Sequence, residues 1–289
     1  MFDQVEAFYR PASVGEALRL LQRGKGRARI LAGGTDLAVA GGEGVRILID
    51  ITRAGLSYIR REAGWLTIGA TTTLAEMEES AALGKVGGGI LRLAAAQCGS
   101  VSIRNVATLG GNLANASPAA DVAVPLAALE ASVVVADARG RRRLALADYL
   151  AGAQAGRFAK SILVEAAIPP GPKGRHCGWS YQKLGRTAVD ISLVSVAAGL
   201  GLDAMGRVEW ARIALGSVAP TVMRAHAAEQ RMTGRIPDAG LVAEAAAEAA
   251  QAVRPISDVR ASAEYRREMS AVLSARALQE CAARAGGSL

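Results

Sequence analysis

The segment that most constrains this chain runs from Ser100 to Asp121 and carries few bulky side chains. It contains the pair Gly110-Gly111, several asparagine and hydroxyl residues, and the carboxylate of Asp121. Such a segment adds little to a core, and glycine lets the main chain approach another molecule closely because it has no Cβ. Successive turn residues can also direct several N–H groups into one concavity that binds an anion. An ordinary glycine-containing loop is the alternative interpretation.

A second segment of the same character lies upstream, in Ile30-Leu-Ala-Gly-Gly-Thr-Asp-Leu37. A short strand over residues 29–31 is broken there by Gly33-Gly34, and a second strand is predicted over residues 46–51. Two such segments suggest a phosphate-bearing ligand held from two sides. Neither segment has the P-loop pattern of nucleotide hydrolases or the glycine pattern of the Rossmann dinucleotide site. The residues alone therefore predict a phosphorylated cofactor bound through backbone amides.

Two capping boxes mark the starts of helices in the first half of the chain. Ser13-Val-Gly-Glu16 has a hydroxyl residue and a glutamate at the required spacing and opens a helix that ends at Gly24. Thr73-Leu-Ala-Glu76 repeats the pattern after a strand predicted over Trp65–Gly69. These elements predict a small α/β lobe over residues 1–53 and a larger lobe over residues 55–170.

The clearest linker is the proline- and glycine-rich stretch over residues 169–174. Strands are predicted after it, and two helices follow them. Strands followed by helices indicate an α+β domain, in which a sheet packs on a small helical bundle. The sequence thus predicts a first domain over residues 1–170 and a second over residues 175–289. The predicted elements of the second domain are strands over 179–183, 191–202 and 208–215 and helices over 238–253 and 262–285.

Composition excludes several classes of protein. A length of 289 residues suggests roughly two domains. The chain has no apolar run long enough to cross a bilayer, and its first residues lack the basic and apolar regions of a secretion signal. We therefore expect a soluble, cytoplasmic protein without membrane insertion. The cysteines Cys98, Cys177 and Cys281 are widely separated and only two histidines are present, so no metal or iron–sulfur site is expected in this chain.

The formal net charge of +8 raises the possibility of nucleic-acid binding. The densest basic run, Arg139-Gly-Arg-Arg-Arg143, is predicted to form a hairpin turn between strands, and the other arginines are dispersed. No aromatic residues are interleaved with them. The charge therefore favours solvated faces and a docking surface for a more acidic partner over nucleic acid.

Several motifs occur together and in a consistent order. They are Ala32-Gly-Gly-Thr-Asp36, residues 67–76, Ile103-Arg-Asn105, Thr108-Leu-Gly-Gly-Asn112, Ser117-Pro-Ala-Ala-Asp121, residues 181–192 and residues 262–267. With these motifs, the chain resembles the FAD-binding medium subunits of molybdenum hydroxylases, a family that includes xanthine dehydrogenase and carbon monoxide dehydrogenase. The resemblance runs nearly end to end. It implies a two-lobed FAD-binding domain of the vanillyl-alcohol-oxidase/PCMH type, followed by a C-terminal α+β domain.

The resemblance also implies which residues hold the FAD. Two loops would bind it, chiefly at the pyrophosphate, and Asp121 would contact a ribose or ribityl hydroxyl. Lys183, or its neighbour Gln182, would reach the cofactor from the C-terminal domain. The loop residues implied are Ala32, Gly33, Gly34, Thr35 and Asp36, with Thr108, Leu109, Gly110, Gly111 and Asn112. Alternatives remain, because Asp36 could be a turn or cap carboxylate and Asp121 could cap the helix that runs to Leu129.

The function implied by the resemblance is electron transfer within a multi-subunit oxidoreductase. A large subunit would carry the molybdopterin cofactor and a small subunit the [2Fe-2S] clusters. This chain would pass electrons between those clusters and an acceptor such as NAD⁺, a quinone or oxygen, in a dimer of heterotrimers. Because a flavin carries the redox chemistry itself, no catalytic residue is expected in this chain.

Two other functions stay open at this point. A self-contained FAD oxidase of the vanillyl-alcohol-oxidase-like class would often hold its flavin by a covalent link, but neither His176 nor His226 is an obvious attachment point. A basic binding or scaffold protein without a cofactor is the third possibility. The intact glycine segments disfavour this possibility, because a protein that had lost its cofactor would not need them.

Overall fold

The structure is a computed structural model that describes Phe2, residues 4–172 and residues 176–287. The chain forms two compact units that are not continuous in sequence. Unit 1 comprises residues 1–77, 100–116 and 131–169, and unit 2 comprises residues 78–99, 117–130 and 170–289. The division into a first domain over residues 1–170 and a second over residues 175–289 stays a prediction. Residues 173 and 174 of the predicted linker lie outside the described residues.

Twelve strands are formed by the described residues. They are β1 Ala7–Tyr9, β2 Ala28–Leu31, β3 Ile47–Asp50, β4 Ile59–Glu62, β5 Trp65–Gly69, β6 Ser132–Asp137, β7 Gly140–Ala145, β8 Ile162–Ile168, β9 His176–Leu184, β10 Val194–Leu202, β11 Val208–Gly216 and β12 Met223–Arg224.

Twelve α-helices are formed by the same residues. They are α1 Val14–Arg23, α2 Thr35–Ala40, α3 Leu74–Glu79, α4 Ala81–Gly84, α5 Ile90–Ala96, α6 Val101–Arg104, α7 Leu109–Ala114, α8 Ala123–Ala128, α9 Leu146–Gln154, α10 His226–Met232, α11 Ala239–Ala252 and α12 Ala263–Arg284.

A three-stranded parallel sheet of order β1-β3-β2 and the helix α1 begin unit 1. The predicted capping box is confirmed, because the N–H of Glu16 donates to Ser13 Oγ and the Glu16 carboxylate accepts from the N–H of Ala12. The helix ends before Gly24, as predicted. Its buried residues Ala17 and Leu21 lie four positions apart and therefore on one face of the helix.

The larger sheet of unit 1 is antiparallel and has the order β4-β5-β8-β6-β7. The predicted hairpin is confirmed, but its turn is shorter than the basic run suggested. Asp137 pairs with Gly140, so Arg141, Arg142 and Arg143 belong to β7 itself. Gly140 has a φ of +117° and ends the turn. The arginines thus occupy an edge strand, where charged side chains oppose pairing with another sheet.

Unit 2 contains a four-stranded antiparallel sheet of order β12-β11-β10-β9, with α8, α10, α11 and α12. All nine residues of β10 are buried, and both α8 and α12 contact this strand. A strand buried on both faces is apolar throughout, which explains the continuous run that predicted it. The strand begins at Val194 rather than Ile191, because the preceding residues form a loop closed by Leu193 N–H donating to Leu184 O. The α+β fold class is confirmed.

Candidate functional site

The first glycine segment connects β2 to α2 in unit 1. Gly34 occupies the N-cap position with a φ of +73°, and no side chain caps this helix. The hydrogen bonds of the turn begin with Ala38, whose N–H donates to Gly34 O at 2.8 Å. Within the described residues, the N–H groups of residues 33–37 have no acceptor. Free N–H groups at the start of a helix carry partial positive charge and suit an anion.

The structure brings the two glycine segments together within unit 1. A Cβ placed on Gly33 would lie 1.9 Å from the carbonyl oxygen of Val106 and 2.9 Å from the Cα of Ala107. These two residues immediately precede Thr108, where the second segment begins. Only glycine allows this approach, because any side chain at position 33 would overlap the backbone of residue 106.

The second segment is helical, which differs from the loop that its composition suggested. Thr108 is the N-cap of α7, and Gly110 and Gly111 lie inside the helix. The first four N–H groups of α7 already have acceptors in unit 1. Leu109 N–H donates to Thr72 O at 3.0 Å, Gly110 N–H to Ala70 O at 2.8 Å, Gly111 N–H to Thr108 Oγ1 at 3.1 Å and Asn112 N–H to Thr108 O at 3.0 Å. This segment therefore offers a ligand less backbone than the first one does.

Two other features of α7 bear on a ligand: its backbone packs closely at Gly110, and it carries the polar side chain of Asn112. A Cβ on Gly110 would lie 2.7 Å from Ala70 O and 2.8 Å from Ala70 Cβ, so glycine is needed there for packing rather than for a positive φ. The Oδ1 atom of Asn112 is buried and has no hydrogen-bond partner within the described chain. Buried polar atoms are nearly always paired, so an unpaired acceptor indicates a donor that comes from elsewhere.

Asp36 does not cap α2, because Gly34 holds the N-cap position and the carboxylate lies in the first turn of the helix. It lies at the surface, and partial burial raises its pKa. The sequence alternative of a cap carboxylate is therefore not supported for this residue.

Asp121 and Lys183 form a buried ion pair in unit 2. Lys183 Nζ lies 2.9 Å from Asp121 Oδ2, and the two side chains are only 5% and 6% exposed. Asp121 does not cap α8, since the N-cap is Val122 and no side chain caps that helix. Burial raises the pKa of Asp121, and the charge of Lys183 acts in the opposite direction.

Three further residues complete this cluster, and sequence reasoning missed their part in it. Tyr181 donates its hydroxyl to Asp121 Oδ1 at 3.2 Å, the Cys98 side chain hydrogen-bonds to Asp121, and the Gln97 carbonyl accepts from Lys183 Nζ at 2.7 Å. Tyr181 and Lys183 are two residues apart on β9 and so share one face, a signal the sequence did contain. Burial, with the adjacent Asp121, raises the pKa of Tyr181 well above its ordinary value, which keeps it a donor.

Gln182 faces away from this cluster. Its side-chain amide donates to Ser180 Oγ at 3.1 Å and to Glu280 Oε1 at 2.8 Å. Of the two neighbouring positions that the resemblance left open, Lys183 is therefore the one that meets Asp121.

Within the described residues, no group of three or more histidine, cysteine, aspartate or glutamate side chains could hold a metal ion. No helix in that part of the chain is both long and apolar enough to cross a bilayer. Within unit 2, His226 begins α10 and its Nδ1 lies 3.0 Å from Glu229.

Comparison with known proteins accounts for nearly the whole chain. Residues 2–171 match the model of the FAD binding domain in molybdopterin dehydrogenase, and residues 179–281 match that of the CO dehydrogenase flavoprotein C-terminal domain. The glyceraldehyde dehydrogenase medium chain of Sulfolobus acidocaldarius is 31% identical, over 98% of this chain and all of that one. The xanthine dehydrogenase FAD-binding subunit of Escherichia coli O157:H7 is 32% identical over the full length of both.

A solved structure is similar over the same extent. It is the carbon monoxide dehydrogenase from Hydrogenophaga pseudoflava that lacks the Mo-pyranopterin moiety of its cofactor, with a TM-score of 0.88 at 31% identity over 98% of this chain and 99% of that one. The family models, the full-length identity and the shared fold agree with one another. The chain belongs to the FAD-binding medium subunits of molybdenum hydroxylases and is an oxidoreductase component.

Proposed function

We propose that this chain binds one FAD and passes electrons between the [2Fe-2S] clusters of a small subunit and an external acceptor such as NAD⁺ or a quinone. The substrate is oxidised on a large subunit that carries the molybdopterin cofactor. The three chains assemble as a dimer of heterotrimers. The observation that carries the FAD part of the proposal is the unpaired, buried Oδ1 of Asn112 beside the packed glycine segments of unit 1.

The residues of unit 1 fit a dinucleotide. FAD has a doubly charged pyrophosphate, and it has ribose and ribityl hydroxyls that donate hydrogen bonds. The free N–H groups of residues 33–37 suit the pyrophosphate, since they are directed from the start of a helix whose cap is a glycine. The Asn112 Oδ1 atom suits a hydroxyl donor, because an amide oxygen can only accept. Charge and hydrogen-bonding capacity therefore both match.

The remaining predicted residues serve this arrangement in different ways. Gly33 and Gly110 keep side chains out of two close backbone approaches. Thr108 fixes the start of α7 by accepting from the N–H of Gly111, which holds Asn112 on the fourth residue of that helix. Ala32 precedes the glycine pair, and Thr35 and Asp36 lie in the first turn of α2, where the free amides are. Leu109 is fully buried and anchors α7 in the core.

When bound, FAD supplies the chemistry that links two-electron and one-electron carriers. The chain's own task is to bind and orient the cofactor and to set the charge around it. Within unit 2, Lys183 and Asp121 form a buried ion pair.

The family and the chain's charge support the partner part of the proposal. One relative is named as the medium chain of a carbon monoxide dehydrogenase, and the similar solved structure is a carbon monoxide dehydrogenase described by its molybdenum cofactor, of which it lacks the Mo-pyranopterin moiety. The net charge of +8 favours acidic partner surfaces. The relatives are named for glyceraldehyde, xanthine and carbon monoxide, so similar medium chains serve different substrates, which supports selection of the substrate by the large subunit.

The test is to purify the tagged chain from its own cells and to measure released FAD, molybdenum and iron against protein. We expect FAD equimolar with this chain, and molybdenum and iron in co-purifying chains. A chain that contains no flavin and takes up none when incubated with FAD would refute the flavin assignment. A flavin-containing chain that turns over a substrate without any molybdenum chain would favour the self-contained oxidase instead.

Electron transfer is tested on the same preparation by following the flavin absorbance. We expect the flavin to bleach when the molybdenum substrate is added and to recover on addition of an acceptor. Removal of the small subunit should abolish bleaching by substrate and leave recovery by the acceptor intact. Bleaching that persists without the small subunit would contradict the proposed path.

A further inference from the structure

We infer that the small subunit, which carries the [2Fe-2S] clusters, docks on the exposed aliphatic side chains of Val101, Ile103 and Val106, here called the aliphatic patch. The inference rests on the proposed function, because it names the surface that the cluster-bearing partner covers. It also gives a role to the Ile103-Arg-Asn105 motif, which the proposed FAD site does not use. All three side chains belong to unit 1.

The three side chains of the patch are apolar, and all of them are exposed. Val101 is 63% exposed, Val106 47% and Ile103 40%. Ile103 and Val106 lie three positions apart on one helical turn and are therefore neighbours, and Val101 is the first residue of the same turn, α6. A single exposed aliphatic residue is ordinary in a folded protein, but a group of them marks a surface that another protein covers.

The backbone under the patch is held by hydrogen bonds within unit 1. Ser100 caps α6, because its Oγ accepts from the N–H of Ile103 at 3.4 Å. Ala107 N–H donates to Ile103 O at 2.7 Å, and Ala107 O accepts from the N–H of Leu74 at 2.9 Å. The aliphatic side chains are thus presented on an ordered segment, which reduces the conformational entropy that a partner loses on binding.

The patch borders the proposed FAD site inside the same unit. A Cβ on Gly33, where the free amides of the first glycine segment begin, would lie 1.9 Å from Val106 O and 2.9 Å from the Cα of Ala107. The next residue along the chain is Thr108, the N-cap of the helix that carries Asn112. A partner seated on the patch would therefore lie next to both segments that we assign to the cofactor.

Electron transfer selects the small subunit as the occupant. Electrons pass between its clusters and the flavin, so this chain must be covered near the FAD site by the partner that holds a cluster. The large subunit exchanges electrons with the flavin only through those clusters, and a second copy of this chain brings no cluster. A specific interface buries about 800 Å² on each partner, more than three aliphatic side chains supply. The patch is thus the apolar part of a wider contact, with the exposed residues Ser102 and Asn105 in its polar rim.

Substitution of the patch by carboxylates tests the inference. The complete complex is purified through a tag on this chain, and release of the small subunit on dilution gives its dissociation constant. We expect Val101→Asp and Ile103→Asp each to weaken binding of the small subunit about tenfold, because a carboxylate at the interface must lose its hydration. The double variant should lose more than either single variant, and FAD should stay equimolar with the chain. Unchanged affinity for the small subunit in the double variant would overturn the inference.

Val259→Asp is the matched control, because Val259 is also an exposed valine, at 94%, but belongs to unit 2. This variant should bind the small subunit as wild type does. The metal content of each purified complex identifies which partner is lost. Loss of molybdenum with iron retained would place the large subunit on the patch and overturn the inference. A change only in self-association of this chain would indicate a second copy there and would overturn it as well.

Flavin absorbance gives a functional readout on the same variants. In the double variant, bleaching by substrate should slow, and an excess of purified small subunit should restore it, whereas bleaching by a chemical reductant should stay at the wild-type rate. Slow bleaching that excess small subunit does not restore would contradict docking at the patch. If the aspartate variants do not fold, Val101→Ala and Ile103→Ala decide the question, since a smaller loss of affinity is expected and wild-type affinity would overturn the inference. Failure of the proposed function is recognised separately, since the wild-type chain would then contain no FAD.

Discussion

Replacement of Gly33 by alanine tests whether the packed glycine segments form the cofactor site. The added Cβ would lie 1.9 Å from Val106 O, whereas real Cβ contacts are not shorter than 3.0 Å. The two segments must therefore separate by about 1.1 Å, the difference between those two distances. Gly33 has no positive φ, so alanine brings no backbone strain of its own, and the contact is the whole perturbation.

Two magnitudes follow from this displacement. Overpacking at a buried contact costs about 1–3 kcal/mol, which lowers the melting temperature of a chain of this size by roughly 2–4 °C for each kcal/mol. A misplacement of about 1 Å in a binding constellation can cost roughly a hundredfold. We therefore expect Gly33→Ala to lose about two orders of magnitude in FAD affinity while it still folds.

The assay compares FAD titration with thermal unfolding of the FAD-free protein. Gly15→Ala is the matched control, because position 15 lies in α1 and its nearest neighbour to an added Cβ is a flexible arginine atom 3.9 Å away. That variant should bind FAD as wild type does and be slightly more stable, since alanine favours helix. Wild-type FAD affinity in Gly33→Ala would refute the reasoning. If Gly33→Ala does not fold, the close contact of Gly33 with Val106 is required for folding itself.

Three other substitutions give distinct signatures. Thr108→Ala removes the N-cap of α7 and should cost about 1 kcal/mol of unfolding free energy in denaturant titration, with Thr108→Ser restoring it; equal stability of both variants would contradict the cap. Asn112→Ala deletes an unpaired acceptor, so the FAD-free protein should keep its melting temperature while FAD affinity falls about tenfold; a destabilised protein with normal affinity would contradict this role. The backbone N–H of Arg260, with the guanidinium of Arg266, lowers the pKa of Asp258. Wild type should therefore be more stable than Asp258→Asn at neutral pH, and the gap should close as the pH falls below about 4; a gap that does not change with pH would contradict it.

Local chemistry in the sequence predicted much of the fold. The capping boxes at Ser13 and Thr73 were predicted from four residues each, and both form, with Thr73 N–H donating to Glu76 Oε2 at 2.7 Å. The helices α11 and α12 and the strands around them lie within a few residues of their predicted limits. These features depend on residues that are only a few positions apart, so short stretches of sequence are enough to predict them.

The character of the second glycine segment was not predictable in the same way. The sequence predicted that its N–H groups would be available to a ligand, but the carbonyls of Thr72 and Ala70, from another part of unit 1, accept hydrogen bonds from two of them. Whether an amide is free depends on what packs beside it. The sequence therefore identified the segment and could not say which of its atoms a ligand would meet.

The sequence by itself determined the family, the α+β class and the two glycine segments, because ordered motifs and hydrophobic periodicity are properties of the chain alone. Only the tertiary structure decided that Gly33 lies against Val106 and that Asp121 is paired with Lys183 rather than placed at the cap of α8. Those contacts join residues far apart in sequence. They exist because burial forces each polar group to find a partner in space, and the fold determines which partner is within reach.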